Sequence, residues 1–158
     1  MGRCLSRRAN RRKIKSVRGN SPGVSAIWFI IMQLSFKFFI DNLGFRRAEA
    51  EPSDGILGCH LTGDHMRTQG CDWTLQEIER IKENKEETHM GGNAAIAEIN
   101  TEKVKVIPTW DGEPHFECEL SLQEYQKLIL AWRDFLISRQ AQEISCEIIS
   151  YSNPFAAR

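Results

Sequence analysis

The chain has 158 residues, 41% of them apolar, and its formal net charge is zero because 21 basic side chains balance 21 acidic ones. This length is enough for one domain with a buried core and excludes two full-sized domains. No internal repeat or low-complexity tract is evident, which excludes a solenoid and a compositionally biased linker protein.

The charge is divided unevenly along the chain. Residues 1–65 carry 11 basic and 5 acidic side chains, whereas residues 66–158 carry 10 basic and 16 acidic ones. Such an asymmetry indicates that the two segments meet different surroundings, for example an anionic surface and a basic partner. Five cysteines without any CxxC pair favour a reducing compartment over a disulfide framework.

The N-terminal segment combines eight basic residues in positions 1–18 with an apolar run from Val24 to Phe36. This order is typical of a secretory signal, but the distance to Ala48-Glu49-Ala50, the candidate cleavage site, exceeds the usual signal length. The run has 13 residues before Lys37, which is too short for a membrane span. An interfacial or a buried segment fits better, and membrane contact is expected only through residues 1–45.

A glycine-rich stretch without apolar periodicity separates this segment from the rest of the chain. We therefore predict a basic and apolar extension at 1–48, a linker at 49–71, an acidic α+β domain at 72–150 and a tail at 151–158. Because the ordered pattern begins only after the linker, Met66 is a candidate for the authentic start.

The second half of the chain has clear periodic patterns. A capping box at Thr74 predicts a short helix ending near Glu86. Short β-prone runs at 94–99 and 104–107 predict a hairpin, and alternation from Phe116 to Leu120 predicts a third strand. A second capping box begins at Ser121, and apolar residues at helical spacing predict a helix to Ile137.

The run 143–149 could add an edge strand. The predicted fold is therefore α+β, with a small three- or four-stranded antiparallel sheet flanked by an N-terminal helix and a C-terminal amphipathic helix.

Two groups of side chains could carry chemistry. Four metal-capable side chains do not follow a common zinc spacing, and neither a metal nor a cofactor is expected; they are Cys59, His60, His65 and Cys71. His115 and Glu117 share one face of a strand and could act as a general acid and base in a small hydrolase, although a solvated strand face is the simpler interpretation. Gly91-Gly92 could cradle an anion, but two glycines at the start of a strand more often mark a β-bulge or a close backbone approach.

Acidic and aromatic residues around the third strand are the strongest candidates for partner binding. A basic protein surface would complement the carboxylates, and Trp110 is of a type enriched at interface centres. The predicted partner-binding residues are Glu98, Trp110, Asp111, Glu113, His115, Glu117 and Glu119.

Residues 73–137 resemble small immunity proteins encoded beside bacterial polymorphic and contact-dependent toxins. The resemblance is carried by Gly91-Gly92-Asn93, by the two strands that follow, and by a helix that contains Tyr125, Trp132 and Phe135. It implies a cytoplasmic, non-catalytic protein that binds and neutralises a cognate toxin domain, for example a nuclease, without direct contact with nucleic acid. The alternatives are a membrane-tethered adaptor that uses the basic and apolar N-terminus and, third, the hydrolase.

Overall fold

The computed structural model describes residues 29–51, 55–109 and 117–151. They form an α+β fold with seven strands and three α-helices. The elements are β1 (Phe29–Ile40), β2 (Arg46–Glu51), α1 (Gly55–Cys59), α2 (Thr68–Asn84), β3 (Thr88–Gly91), β4 (Ala95–Ile99), β5 (Lys103–Pro108), β6 (Cys118–Ser121), α3 (Leu122–Ser138) and β7 (Gln142–Tyr151).

All seven strands belong to one antiparallel sheet with the order β2-β1-β7-β6-β5-β4-β3. The prediction of a small three- or four-stranded sheet is therefore wrong. The sheet is larger because residues 29–40 and 46–51, which lie in the predicted extension and linker, supply β1 and β2. β7 also differs from the predicted edge strand, since it lies between β1 and β6.

The alternation of β1 explains why the N-terminal apolar run folds into this sheet. Leu34, Phe36 and Phe38 are buried, while Gln33 and Lys37 on the opposite face are exposed. Burial of each apolar side chain contributes roughly 1.5 to 3 kcal/mol before the entropy of chain ordering is subtracted. Of the helices in the described ranges, none combines the length and the apolar composition needed to cross a bilayer.

The helices cover the face of the sheet on which these side chains are buried. α3 confirms the predicted amphipathic helix: the hydroxyl oxygen of Ser121 accepts the Glu124 amide at 3.1 Å, and the apolar stripe is buried. That stripe comprises Leu122, Tyr125, Leu128, Ile129, Trp132, Phe135 and Leu136. α2 begins six residues before the predicted capping box, so Thr74 lies inside the helix rather than at its N-cap.

The two long helices pack side by side in opposite directions. Asp72 near the start of α2 pairs with Arg133 near the end of α3, whereas Lys82 near the end of α2 donates to Gln126 at 2.7 Å. α1 covers β2 closely, because a Cβ atom at Gly58 would lie 2.8 Å from the Ala48 carbonyl oxygen. A π-helical turn at His60–Asp64 follows α1 directly.

Candidate functional site

The structure describes three of the seven predicted partner-binding residues. Glu98 lies on β4, Glu119 on β6, and Glu117 directly before β6. The other four, Trp110, Asp111, Glu113 and His115, lie outside the described residues, as does one member of the candidate hydrolase pair.

The three described carboxylates each have a basic neighbour on the sheet. Lys105 Nζ lies 2.7 Å from Glu117 Oε2, and Lys103 Nζ lies 3.1 Å from Glu119 Oε2. Lys105 on β5 is also the register partner of Glu98 on β4 and of Glu119 on β6. These carboxylates therefore do not form a purely acidic surface.

A buried polar cluster lies beneath the π-helical turn, on the opposite side of the sheet from those carboxylates. The turn places the side chains of His60 and Asp64 on the same side of the helical axis, with His60 Nδ1 2.9 Å from Asp64 Oδ2. The hydroxyl of Tyr125 on α3 lies 2.8 Å from His60 Nε2. Since the carboxylate is an acceptor, His60 donates from Nδ1, and a neutral ring then accepts the Tyr125 hydroxyl at Nε2.

The Asp64 carboxylate also connects the helix layer to the sheet. It accepts the backbone amides of Ala94 at 2.9 Å and Ala95 at 3.1 Å, at the start of β4. Burial tends to raise the pKa of Asp64, but the hydrogen bonds from His60 and these two amides outweigh burial and lower it. The structure favours a close approach at Gly91-Gly92. The Asp64 side chain lies against Gly92, where an added Cβ atom would be 2.1 Å from Asp64 Cγ.

A second buried histidine extends the cluster. His65 Nδ1 lies 3.3 Å from the His60 carbonyl oxygen, and its Nε2 lies 2.9 Å from the Thr74 hydroxyl. Trp132 donates its indole N–H to the His65 carbonyl oxygen at 2.8 Å. Burial and the nearby His60 ring lower the pKa of His65 to about 4, so its ring is neutral at physiological pH.

The Tyr–His–Asp order resembles a catalytic relay, but no substrate could reach it. His60 is 2% exposed, Tyr125 is fully buried, and burial raises the pKa of the Tyr125 hydroxyl. A general base must lie within hydrogen-bond reach of a substrate proton. The cluster therefore satisfies buried polar groups and joins α3, the π-helical turn and β4.

Cysteine and metal chemistry are also limited in the described ranges. No group of three or more potential ligands is arranged to hold a metal ion there. Cys59 is exposed, whereas Cys71 is buried and its pKa is raised to about 11, chiefly by burial. Burial makes the Cys71 thiol a poor nucleophile and a poor metal ligand.

The most prominent surface feature of the helix layer is an exposed tryptophan. Trp73 on α2 is 56% exposed and follows Asp72, which forms an ion pair with Arg133 of α3. Leu130 and Ile137 are exposed and lie three and four residues from Arg133, on the same stripe of α3. We refer to Trp73, Gln76, Leu130, Arg133 and Ile137 as the outer helical face.

Two shallow grooves lie on this face and share Asp72 and Gln76 in their linings. The groove beside Trp73 has a volume of about 510 Å³, and the groove between α2 and Arg133 has a volume of about 580 Å³. Their linings mix indole, aliphatic, amide and charged groups. Such a mixture is typical of a protein-binding surface and lacks the enclosure of a small-molecule site.

Sequence reasoning missed Trp73. The signal that identifies it is the burial stripe of α2, where Cys71, Thr74, Ile78 and Ile81 recur at helical spacing. Trp73 lies off that stripe and must face away from the core.

Comparisons with protein-family models, with curated proteins and with solved structures found no match to this chain.

Proposed function

We propose that this protein acts without catalysis, by binding another protein through its outer helical face. The exposure of Trp73 beside the Arg133–Asp72 ion pair carries the proposal. Tryptophan and arginine are the residue types most enriched among energetic hot spots, and such hot spots lie at interface centres surrounded by less critical contacts. Leu130 and Ile137 add exposed apolar side chains on α3, and Gln76 lines both grooves.

The charge of α2 favours a partner with a basic surface. The helix, residues 68–84, carries four acidic and two basic side chains, a net charge of −2. Charge complementarity of this kind mainly raises the association rate and the specificity. Asp72, Glu77 and Glu79 have basic neighbours, as the three sheet carboxylates do. Charge therefore does not distinguish the two faces, and the exposed Trp73 is what selects the helix layer.

Neutralisation of a cognate toxin in the cytoplasm is the specific form of this function that we propose. The resemblance to immunity proteins supports it, and an acidic helix would suit the basic cleft of a nuclease. Tyr125, Trp132 and Phe135, which carry the resemblance, are all buried. They therefore support a shared core and provide no contact residue, so the interface must be tested by substitution.

The test is binding of the full-length chain to the product of the adjacent open reading frame, combined with growth rescue when that product is toxic. Trp73→Ala should weaken the complex by about 2 kcal/mol or more, which is roughly thirtyfold in Kd. Ile96→Ala is the matched control, because Ile96 is 37% exposed and lies on β4, on the face of the sheet opposite the helices.

If the two substitutions weaken the complex equally, or if neither weakens it, the outer helical face is not the interface. If the neighbouring product neither binds the chain nor is toxic, the toxin-neutralising function is wrong.

A further inference from the structure

The turn between β1 and β2 exposes an apolar tip at the end of the sheet. Leu43 is 73% exposed and Phe45 is 59% exposed, while Ile40 at the end of β1 is 40% exposed. We refer to residues 40–47 as the hairpin tip. Isolated exposed apolar residues are ordinary, but three within six positions form a patch that requires an explanation.

The hairpin tip is held in one conformation by Asp41. Its Oδ1 atom accepts the amides of Leu43 and Phe45, both at 2.9 Å, and its Oδ2 atom accepts Arg47 Nε at 2.7 Å. The Asp41 amide donates to the Phe45 carbonyl oxygen at 2.8 Å, and Gly44 has a φ of +85°, in the left-handed region. The apolar side chains are therefore presented at a low entropic cost of binding.

The tip also has a basic border. Arg46 and Arg47 follow Phe45 directly, and the Arg47 guanidinium lies 5.6 Å from the centre of the Phe45 ring. Within the described residues, Arg46 is exposed and forms no ion pair. Asp41 is paired with Arg47, and Glu49, three residues after Arg46, faces Lys37 across the hairpin.

We propose that the hairpin tip contacts an anionic lipid surface, inserting Leu43 and Phe45 between headgroups while Arg46 binds phosphate or carboxylate groups. Apolar residues beside a basic side chain suit a bilayer interface, where apolar groups enter about 5 to 10 Å into the boundary between headgroups and acyl chains. Each basic residue near such a surface adds attraction to anionic lipids. A protein partner would instead require a pocket for a narrow convex tip.

This contact is independent of the proposed protein-binding function, because it uses the end of the sheet rather than the outer helical face. The buried face of β1 cannot serve the same purpose. Leu34, Phe36 and Phe38 are buried against the helices. Only the side chains of the tip are therefore available to lipid among those described in β1 and β2.

The experiment is co-sedimentation of the full-length chain with phosphatidylcholine vesicles that contain or lack phosphatidylserine. Leu43→Ser combined with Phe45→Ser should lower partitioning onto the phosphatidylserine vesicles by about tenfold or more. Met66→Ser combined with Ile96→Ser is the matched control, since both residues are exposed and belong to neither the hairpin tip nor the outer helical face, and it should leave partitioning unchanged.

The salt dependence of vesicle binding distinguishes insertion of the tip from attraction by the basic residues at positions 1–18. High salt screens attraction by those residues but leaves apolar insertion, so the difference between wild type and the tip variant should persist. Arg46→Glu should weaken binding only at low salt. Circular dichroism and thermal unfolding verify that each variant is folded.

Three results would overturn the proposal. The wild-type chain could fail to bind phosphatidylserine vesicles, or the tip variant could bind them as well as wild type does. As a third result, the tip variant could retain vesicle binding but lose binding to the product of the adjacent reading frame. This result would assign the tip to a protein partner. A change at Trp73 should not alter vesicle binding, so the two proposals fail separately.

Discussion

The Tyr125 hydroxyl and His60 Nε2 lie 2.8 Å apart although the residues are 65 positions apart in the chain. This contact links α3 to the π-helical turn, and through Asp64 it continues to the amides of β4. Because no described buried side-chain nitrogen or oxygen lacks a hydrogen-bond partner, removal of any one member should leave another unsatisfied. Such losses cost more than loss of the same bond at the surface.

Tyr125→Phe should therefore lower the free energy of unfolding by about 1 to 3 kcal/mol, because His60 Nε2 would lose its buried hydrogen-bond partner. Chemical denaturation measures this directly. Ser145→Ala is the control: it removes an exposed hydrogen bond of 2.9 Å to Gln33 and should change stability by less than about 0.5 kcal/mol. Equal losses would mean that burial of the cluster is unimportant for stability.

Gly92→Ala should be strongly destabilising, by about 2 kcal/mol or more, since its methyl group would lie 2.1 Å from Asp64 Cγ and displace the carboxylate from its amide donors. Its neighbour provides the comparison, because a Cβ atom at Gly91 would have no atom within 4 Å. Gly91→Ala should thus be nearly neutral. A similar melting temperature for the two variants would contradict the close approach of Asp64.

Stability should fall between about pH 6.5 and pH 4 because of His65. Its pKa is about 4 in the folded state, whereas the unfolded state has the ordinary value of 6.5, so the unfolded chain binds the proton first as pH falls. The full contribution is present above pH 6.5 and is lost on the way to pH 4. Its size is about 3 kcal/mol.

Urea unfolding across this range measures the loss, and His65→Gln should flatten the slope even if it lowers stability at neutral pH. Asp64 acts in a lower window, because its lowered pKa makes its contribution disappear only below the unfolded value of 3.8. An unchanged slope in the His65 variant would show that another group titrates in this range.

Phe38→Ala should lower the free energy of unfolding by about 3 to 5 kcal/mol. The Phe38 ring is fully buried, with centroids 5.1 Å from Trp132 and 5.9 Å from Phe135. Phe39→Ala is the matched control, because Phe39 points to the opposite face of β1 and is only partly buried. A larger loss at Phe39 would contradict the assignment of the core face.

The local elements of the second half could be predicted because their signals are local. The Ser121 cap and the apolar spacing of α3 lie within 17 residues, and the hairpin of β4 and β5 needs a turn of only a few residues. Strand order carries no comparable local signal. β7 was predicted as an edge strand because nothing near residues 142–151 indicates that β1 pairs with it.

The candidate site was harder to predict than the fold. The acidic residues around β6 form a run of charge in the sequence and were therefore predicted to bind a partner. Lys103 and Lys105 become their neighbours only through the pairing of β5 with β6. Conversely, His60 and His65 looked like members of an unselected metal-capable group. Their role depends on Tyr125 and Trp132, which are distant in sequence and adjacent only after α3 packs.

The pairing of β1 with β7 also has a kinetic consequence. Ser35 donates to Glu143 across a separation of 108 positions, so the sheet cannot close until almost the whole described chain has been synthesised. At about 5 to 20 residues per second, the apolar strand β1 has β2 as a neighbour early but must wait several seconds on the ribosome for β7. Sheets dominated by such distant pairings fold slowly. The nascent chain should therefore depend on chaperones, which would shield Leu34, Phe36 and Phe38 until β7 emerges.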